Sequence, residues 1–226
     1  NLRRARAVAL LWPELDAEAG GRNLRVTLAH LRRLLEPERS SGEAGFHLRA
    51  DSATIRLFPS PKLVVDLWEL RRLVTDASRA RHEGDTAGAI ELLDKGTSQW
   101  RGAPLTDLDR ISGLEPAIEE IRLLQLSSLL ALGELQLTQG AAEALTSAER
   151  ALAVDPYLEQ AHRLAIAASV QRHDPARIRA AVARTARALD DLGVAAEPAT
   201  VMLMRHAAAQ VGRQTRPDDP PALRVS

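Results

Sequence analysis

Small residues return at one helical spacing from about residue 84 onward, and that spacing limits the fold more than any other feature. In QGAAEALTSAERALAVDP (139–156), Gly140, Ala144, Ala148 and Ala151 recur every three or four positions and Pro156 closes the run. GDTAGAIELLDKG (84–96) sets Ala89, Leu93 and Gly96 in the same roles after a Gly84-Asp85 turn, and Ala161, Ala165 and Ala168 follow in the next stretch. A weaker unit spans Asp174–Leu189. Residues this small at i, i+4 and i+7 let helices approach until their backbones nearly touch. Aromatics make up only 3% of the chain, so Leu, Ala, Val and Ile must fill the core. Close-packed helices suit that composition better than a β-sandwich.

The pattern is that of tetratricopeptide-like repeats, short helix pairs with small residues at the seam and a proline at the exit. The alternative is a set of Ala-rich helices that meets a loose pattern by chance. We expect helices over Val65–Glu83, Thr86–Trp100, Leu114–Gln139, Ala141–Val154, Tyr157–Arg172, Pro175–Leu192 and Pro198–Val211. TRPDDPPALRVS (215–226) has three prolines and little apolar pattern, so the end of the chain, from 213, reads as a disordered tail.

Residues 1–62 read differently. They hold eleven Arg and Lys against seven Asp and Glu, although the whole chain has zero net charge. A short helix, Arg3–Leu11, is stopped at Trp12-Pro13. An acidic patch, Glu14–Ala19, ends at Gly20-Gly21, read as a turn. RNLRVTLAHLRRLLE (22–36) is strongly amphipathic, with Leu24, Leu28, Leu31 and Leu35 in one stripe. Its opposite face carries Arg22, Val26, His30 and Arg33, flanked by Arg25 and Arg32. After a loop at 38–45, two strand-like runs, Phe46–Ala50 and Thr54–Phe58, form a hairpin bearing His47, Arg49 and Arg56. A PSPKL linker (59–63) leads into the helical part. Helix, Arg-rich helix and hairpin follow the order of a winged helix-turn-helix. Such a helix fits the major groove, where Arg meets guanine and Val26 a thymine methyl. Hairpin cations fit phosphates or the minor groove. The other reading of the arginines is an ordinary solvated helix face. The expected fold is therefore mainly α: a partial winged helix-turn-helix with a β-hairpin wing over 1–62, then a tetratricopeptide-like helical repeat domain over 63–212.

Other function classes find little support. The chain has no Cys, which excludes disulfide frameworks, thiolate metal sites and cysteine nucleophiles. No apolar run approaches the length needed to span a bilayer, and the N-terminus does not look like a cleavable signal, so a cytoplasmic protein without membrane contact is expected. The six His are scattered, without metal-ligand spacing, and His162 reads as a packed or surface residue rather than a ligand. The glycines form no phosphate loop, and no nucleophile–base pair stands out. No catalytic residue, metal or cofactor is assigned.

GGRNLRVTLAHLRRLLEP, FHLRADSATIRLFPSPKLVVDLWEL and GDTAGAIELLDKGTSQWRGAPLTDL, in that order, resemble the Streptomyces antibiotic regulatory protein family. The similarity rests on Asn23-Leu24 and Leu31-Arg32-Arg33, on Val65-Asp66, and on Trp100-Arg101-Gly102 with Pro104-Leu105. DPYLEQAHRLAIAA and LDDLGVAAEPAT extend it, so that it covers about residues 5–210. It implies a winged helix joined to a bacterial transcriptional activator domain, with double-stranded DNA and RNA polymerase as partners. By this likeness, Arg22, Arg25, Val26, His30, Arg32, Arg33, Arg49 and Arg56 face DNA. The family's winged helix starts with a small sheet and a first helix; this chain begins at what would be the second helix, so its support is expected to be incomplete. LLWPELDAEAGGRNLRVTLAHL is also similar to C-terminal modules of large ATPase regulators, which makes other domains of a longer chain, or a second copy, candidate partners. The competing function is a protein-interaction scaffold that controls a signalling or ATPase partner without DNA contact.

Overall fold

The computed structural model describes residues 1–38, 45–108, 111, 113–140 and 142–214. Its element order is β1 (Leu2–Arg3), α1 (Arg4–Leu11), α2 (Ala17–Leu35), β2 (Leu48–Ala50), β3 (Thr54–Leu57), α3 (Asp66–His82), α4 (Thr86–Thr97), a 3-10 turn (Thr106–Leu108), α5 (Glu115–Thr138), α6 (Glu143–Val154), α7 (Glu159–Gln171), α8 (Pro175–Leu192) and α9 (Pro198–Gln214). The chain divides into two compact units. One comprises Asn1–Arg72 and Pro104–Ile121, the other Leu73–Ala103 and Arg122–Ser226, so the division falls inside α3 and α5.

The first unit contains a three-stranded antiparallel sheet ordered β1-β3-β2. The expected hairpin is there, and β1 adds a strand that its two residues were too few to announce: Leu2 pairs with Ile55 and Arg3 with Thr54. The hairpin turn is held by Asp51, whose carboxylate accepts from the amides of Ala53 and Thr54 at 2.8 and 2.7 Å and from the Thr54 hydroxyl at 2.9 Å. Those backbone bonds favour the ionised carboxylate and lower its pKa. A small core of Ala7, Leu24, Leu28 and Leu48 lies between α1, α2 and β2.

The expected turn at Gly20-Gly21 is not a turn. Asp16 caps α2 by accepting from the Ala19 amide at 2.7 Å, and the helix runs unbroken through both glycines. Gly20 is buried against α1; a methyl there would collide with Val8 Cγ1. Packing demands the glycine, and the helix absorbs its conformational cost.

The second unit shows the small-residue seams. Ala144, Ala148, Ala151, Ala161 and Ala165 are completely buried in a cluster with Leu126, Leu129, Leu145, Leu152 and Leu164 from α5, α6 and α7. Ala77, Ala89, Leu93, Leu132 and Leu135 form a second cluster from α3, α4 and α5. Ile166, Ile178, Ala181 and Ala207 join α7, α8 and α9. Gly133, inside α5, leaves room for Leu164, and a Cβ there would lie 3.2 Å from Ser147 Cβ. Asp174 caps α8 through the amides of Ala176 and Arg177 at 3.0 and 3.1 Å, with Pro175 in the first turn; Gly193, at φ 65°, ends it. Several boundaries shift by one or two residues, with α6 starting at Glu143 and α7 spanning Glu159–Gln171, and two helix ends shift by three. α4 stops at Thr97 rather than Trp100, and α9 continues to Gln214, so residues 213 and 214, expected in the tail, are helical. The rest of that tail, 215–226, lies outside the described residues, as does most of the expected loop at 38–45.

Candidate nucleic-acid interface

The face of α2 opposite its buried stripe is exposed. Leu24 is 2% exposed on one side and Val26 57% on the other. Arg22, Arg25, His30 and Arg33 are exposed with Val26. Among the described residues nothing pairs with Arg25, His30 or Arg33, whereas Arg22 forms an i,i+4 ion pair with Glu18. Leu31, assigned to the buried stripe, is 38% exposed.

Arg32 behaves differently from its neighbours. It is half-buried, and its Nε donates to the Leu48 carbonyl at 3.3 Å. Glu36, at the end of α2, is buried, and its Oε1 accepts from the amides of His47 and Leu48 at 2.6 and 3.0 Å. Together they pin the start of β2 to the end of α2 and fix the wing against the Arg-bearing helix. The sequence marked Glu36 only as the last residue of the amphipathic run 22–36; the partner amides lie eleven and twelve positions away, and no local signal points to them.

On the sheet, Arg49 stands directly opposite Arg56 in the β2–β3 register, and both are exposed. Like charges facing across a strand pair repel. Arg49 Nε donates to the Gly45 carbonyl at 3.2 Å, and its guanidinium lies 4.9 Å from the centre of the Phe58 ring. His47, grouped with these arginines from the sequence, is buried at the start of β2 and does not reach the surface with them. The described residues contain no cluster of His, Asp or Glu arranged to hold a metal ion, and no helix among them is long and apolar enough to cross a membrane.

The sequence profile of the bacterial transcriptional activator domain matches residues 65–207. The chain belongs to that family. The match begins at Val65, just before α3, and ends within α9, and the expected resemblance holds for this part. A solved structure of Mycobacterium tuberculosis EmbR in complex with a low-affinity phosphopeptide is similar to the chain, with a TM-score of 0.76 at 22% identity. The match covers 95% of this chain and 55% of that one, so the chain spans about half the length of EmbR. It supports the fold: a small sheet and helix-turn-helix followed by an all-helical activator domain. No curated protein sequence matches the chain. The activator domain is of a transcriptional regulator type.

Proposed function

We propose that the chain binds double-stranded DNA, with α2 in the major groove and the sheet on the flanking backbone, and that its activator domain engages RNA polymerase. The observation that carries this reading is the solvent-facing set Arg25, Val26, His30 and Arg33, opposite a buried Leu24–Leu28 stripe. These are side chains that can meet base edges, on a helix anchored from behind. Arg49 and Arg56 support it, because a phosphate between two facing guanidiniums would relieve their repulsion. Arg22, tied to Glu18, and Arg32, tied to β2, contribute to positioning more than to base reading. Gel-shift titration of the full-length protein on the DNA upstream of its own gene, against a scrambled duplex, tests the proposal. Preferential binding that weakens as salt rises is the expected result. Absent or salt-independent binding would favour the scaffold reading, in which the helical repeats act on a protein partner alone.

A further inference from the structure

The strongest feature outside the DNA-facing surface is a cleft of about 550 Å³ in the second unit, between the C-terminal half of α6, the turn at 155–158, and faces of α7 and α8. Its apolar wall is formed by Leu152, Ala153 and Pro156, with the ring of Tyr157 at its edge. Arg184 enters from α8 and is half-buried. Its Nε is fully shielded from solvent, yet it has no acceptor among the described residues. That N–H is costly to the fold and out of reach of a ligand in the cleft, but the two Nη nitrogens of the same guanidinium are neither shielded nor hydrogen-bonded among the described residues, and they are the donors a ligand can meet.

The charges around it are unusual in being left apart. Arg187 lies one turn further along α8, and its Nε donates to the Ala183 carbonyl at 3.3 Å. Glu149 and Asp191 line the same cleft, but neither forms an ion pair with either arginine. His162, almost fully buried, does not serve as a counter-ion. Its Nε2 donates to the Pro156 carbonyl at 2.8 Å and its Nδ1 lies 3.3 Å from Thr185 Oγ1. Burial chiefly, and the Arg184 charge to a lesser degree, hold its pKa below the ordinary value, so near neutral pH it adds no cation. Two cations, two separated acids and an apolar wall define the ligand. The arginines call for an anion with a planar pair of acceptor oxygens, the acids disfavour a second negative charge, and the wall accepts a ring or short aliphatic body.

We propose that the α6–α7–α8 cleft binds a small organic monocarboxylate with an apolar or aromatic body, Arg184 holding the carboxylate and Tyr157 and Leu152 covering the body. The site lies within the activator domain and is independent of whether α2 binds DNA.

Thermal unfolding of the full chain with phenylacetate, neutral 2-phenylethanol or dianionic phenyl phosphate tests this. Phenylacetate is expected to raise Tm saturably, and by more than either of the others. Arg184→Gln should lose that rise and, without ligand, keep or exceed the wild-type Tm, because it removes an unmatched charge. Arg179→Gln, an exposed change outside the cleft on the same helix, should respond to phenylacetate as wild type does. The proposal falls if phenylacetate produces no shift, or the same shift in Arg184→Gln. It falls equally if phenyl phosphate is the stronger ligand, or if Arg184→Gln lowers Tm without ligand, which would make Arg184 a structural residue.

Discussion

Arg33 and Arg72 carry the same charge on exposed helical surfaces, and their surroundings separate them. Arg33 has no partner among the described residues, whereas Arg72 grips Glu69 through two bonds, Nε to Oε2 at 3.0 Å and Nη2 to Oε1 at 2.7 Å. Replacing a groove arginine that pairs with guanine costs roughly 1–3 kcal/mol and relaxes sequence preference. Arg33→Ala should therefore weaken operator binding and flatten discrimination against a scrambled duplex, while Arg72→Ala leaves both unchanged in the same titration. Equal losses would remove α2 from the DNA-binding role. His162 gives a prediction of another kind. Its pKa is lowered in the fold, so as pH falls below about 6.5 the unfolded chain takes up a proton that the native imidazole refuses. Stability is fully present above that point and declines as pH drops toward the native pKa. Tm should fall between neutral pH and pH ~5, and His162→Gln should flatten that part of the profile. Identical pH slopes for the two proteins would contradict the assignment.

At the scale of elements, the helices owe their places to what touches them. Gly20→Ala introduces a methyl into Val8 and should cost about 1–3 kcal/mol by overpacking, against the gain that alanine normally brings to a helix interior. Ala144→Leu should do the same at the α6 seam, where Ala144 has no exposure. Urea unfolding of both variants checks these, and an unchanged midpoint at either site would mean that the contact yields. These two positions also show what was legible in the sequence. Ala144 stood in a repeated pattern of small residues, and the pattern located α6 and its seam; the expected span Pro175–Leu192 is likewise that of α8. Gly20 stood beside a second glycine after an acidic patch, and composition alone made the pair a turn. Only the position of Val8, twelve residues earlier, turns that glycine into a helix–helix contact. β1 escaped notice because two residues carry no period. The outward face of α2 followed from its Leu stripe, but the diversion of Arg32 and the burial of His47 depend on where β2 lies against the helix, which no local pattern records.

For the molecule as a whole, zero net charge coexists with a local excess of cations in residues 1–62. If Arg49 and Arg56 share one phosphate between them while Arg25 and Arg33 meet base edges, the pair should contribute about −1 to the slope of log affinity against log salt for the intact protein. Fluorescence anisotropy on a labelled duplex measures the slope, and removing Arg49 and Arg56 together should make it shallower by about 1. A slope left unchanged by that removal would mean that these two arginines meet no backbone. The alanine seams bear on the mechanics of the activator domain. Alanine has no χ1 rotamer to change, so five buried methyls at Ala144, Ala148, Ala151, Ala161 and Ala165 offer no side-chain motion in which strain could dissipate. Where leucines meet, a displaced helix can be accommodated by re-rotation. Where methyls meet, the neighbour must slide with it. The α6–α7 pair is therefore a stiff transmission, and a small shift imposed on one of the two helices should reach the other nearly undiminished.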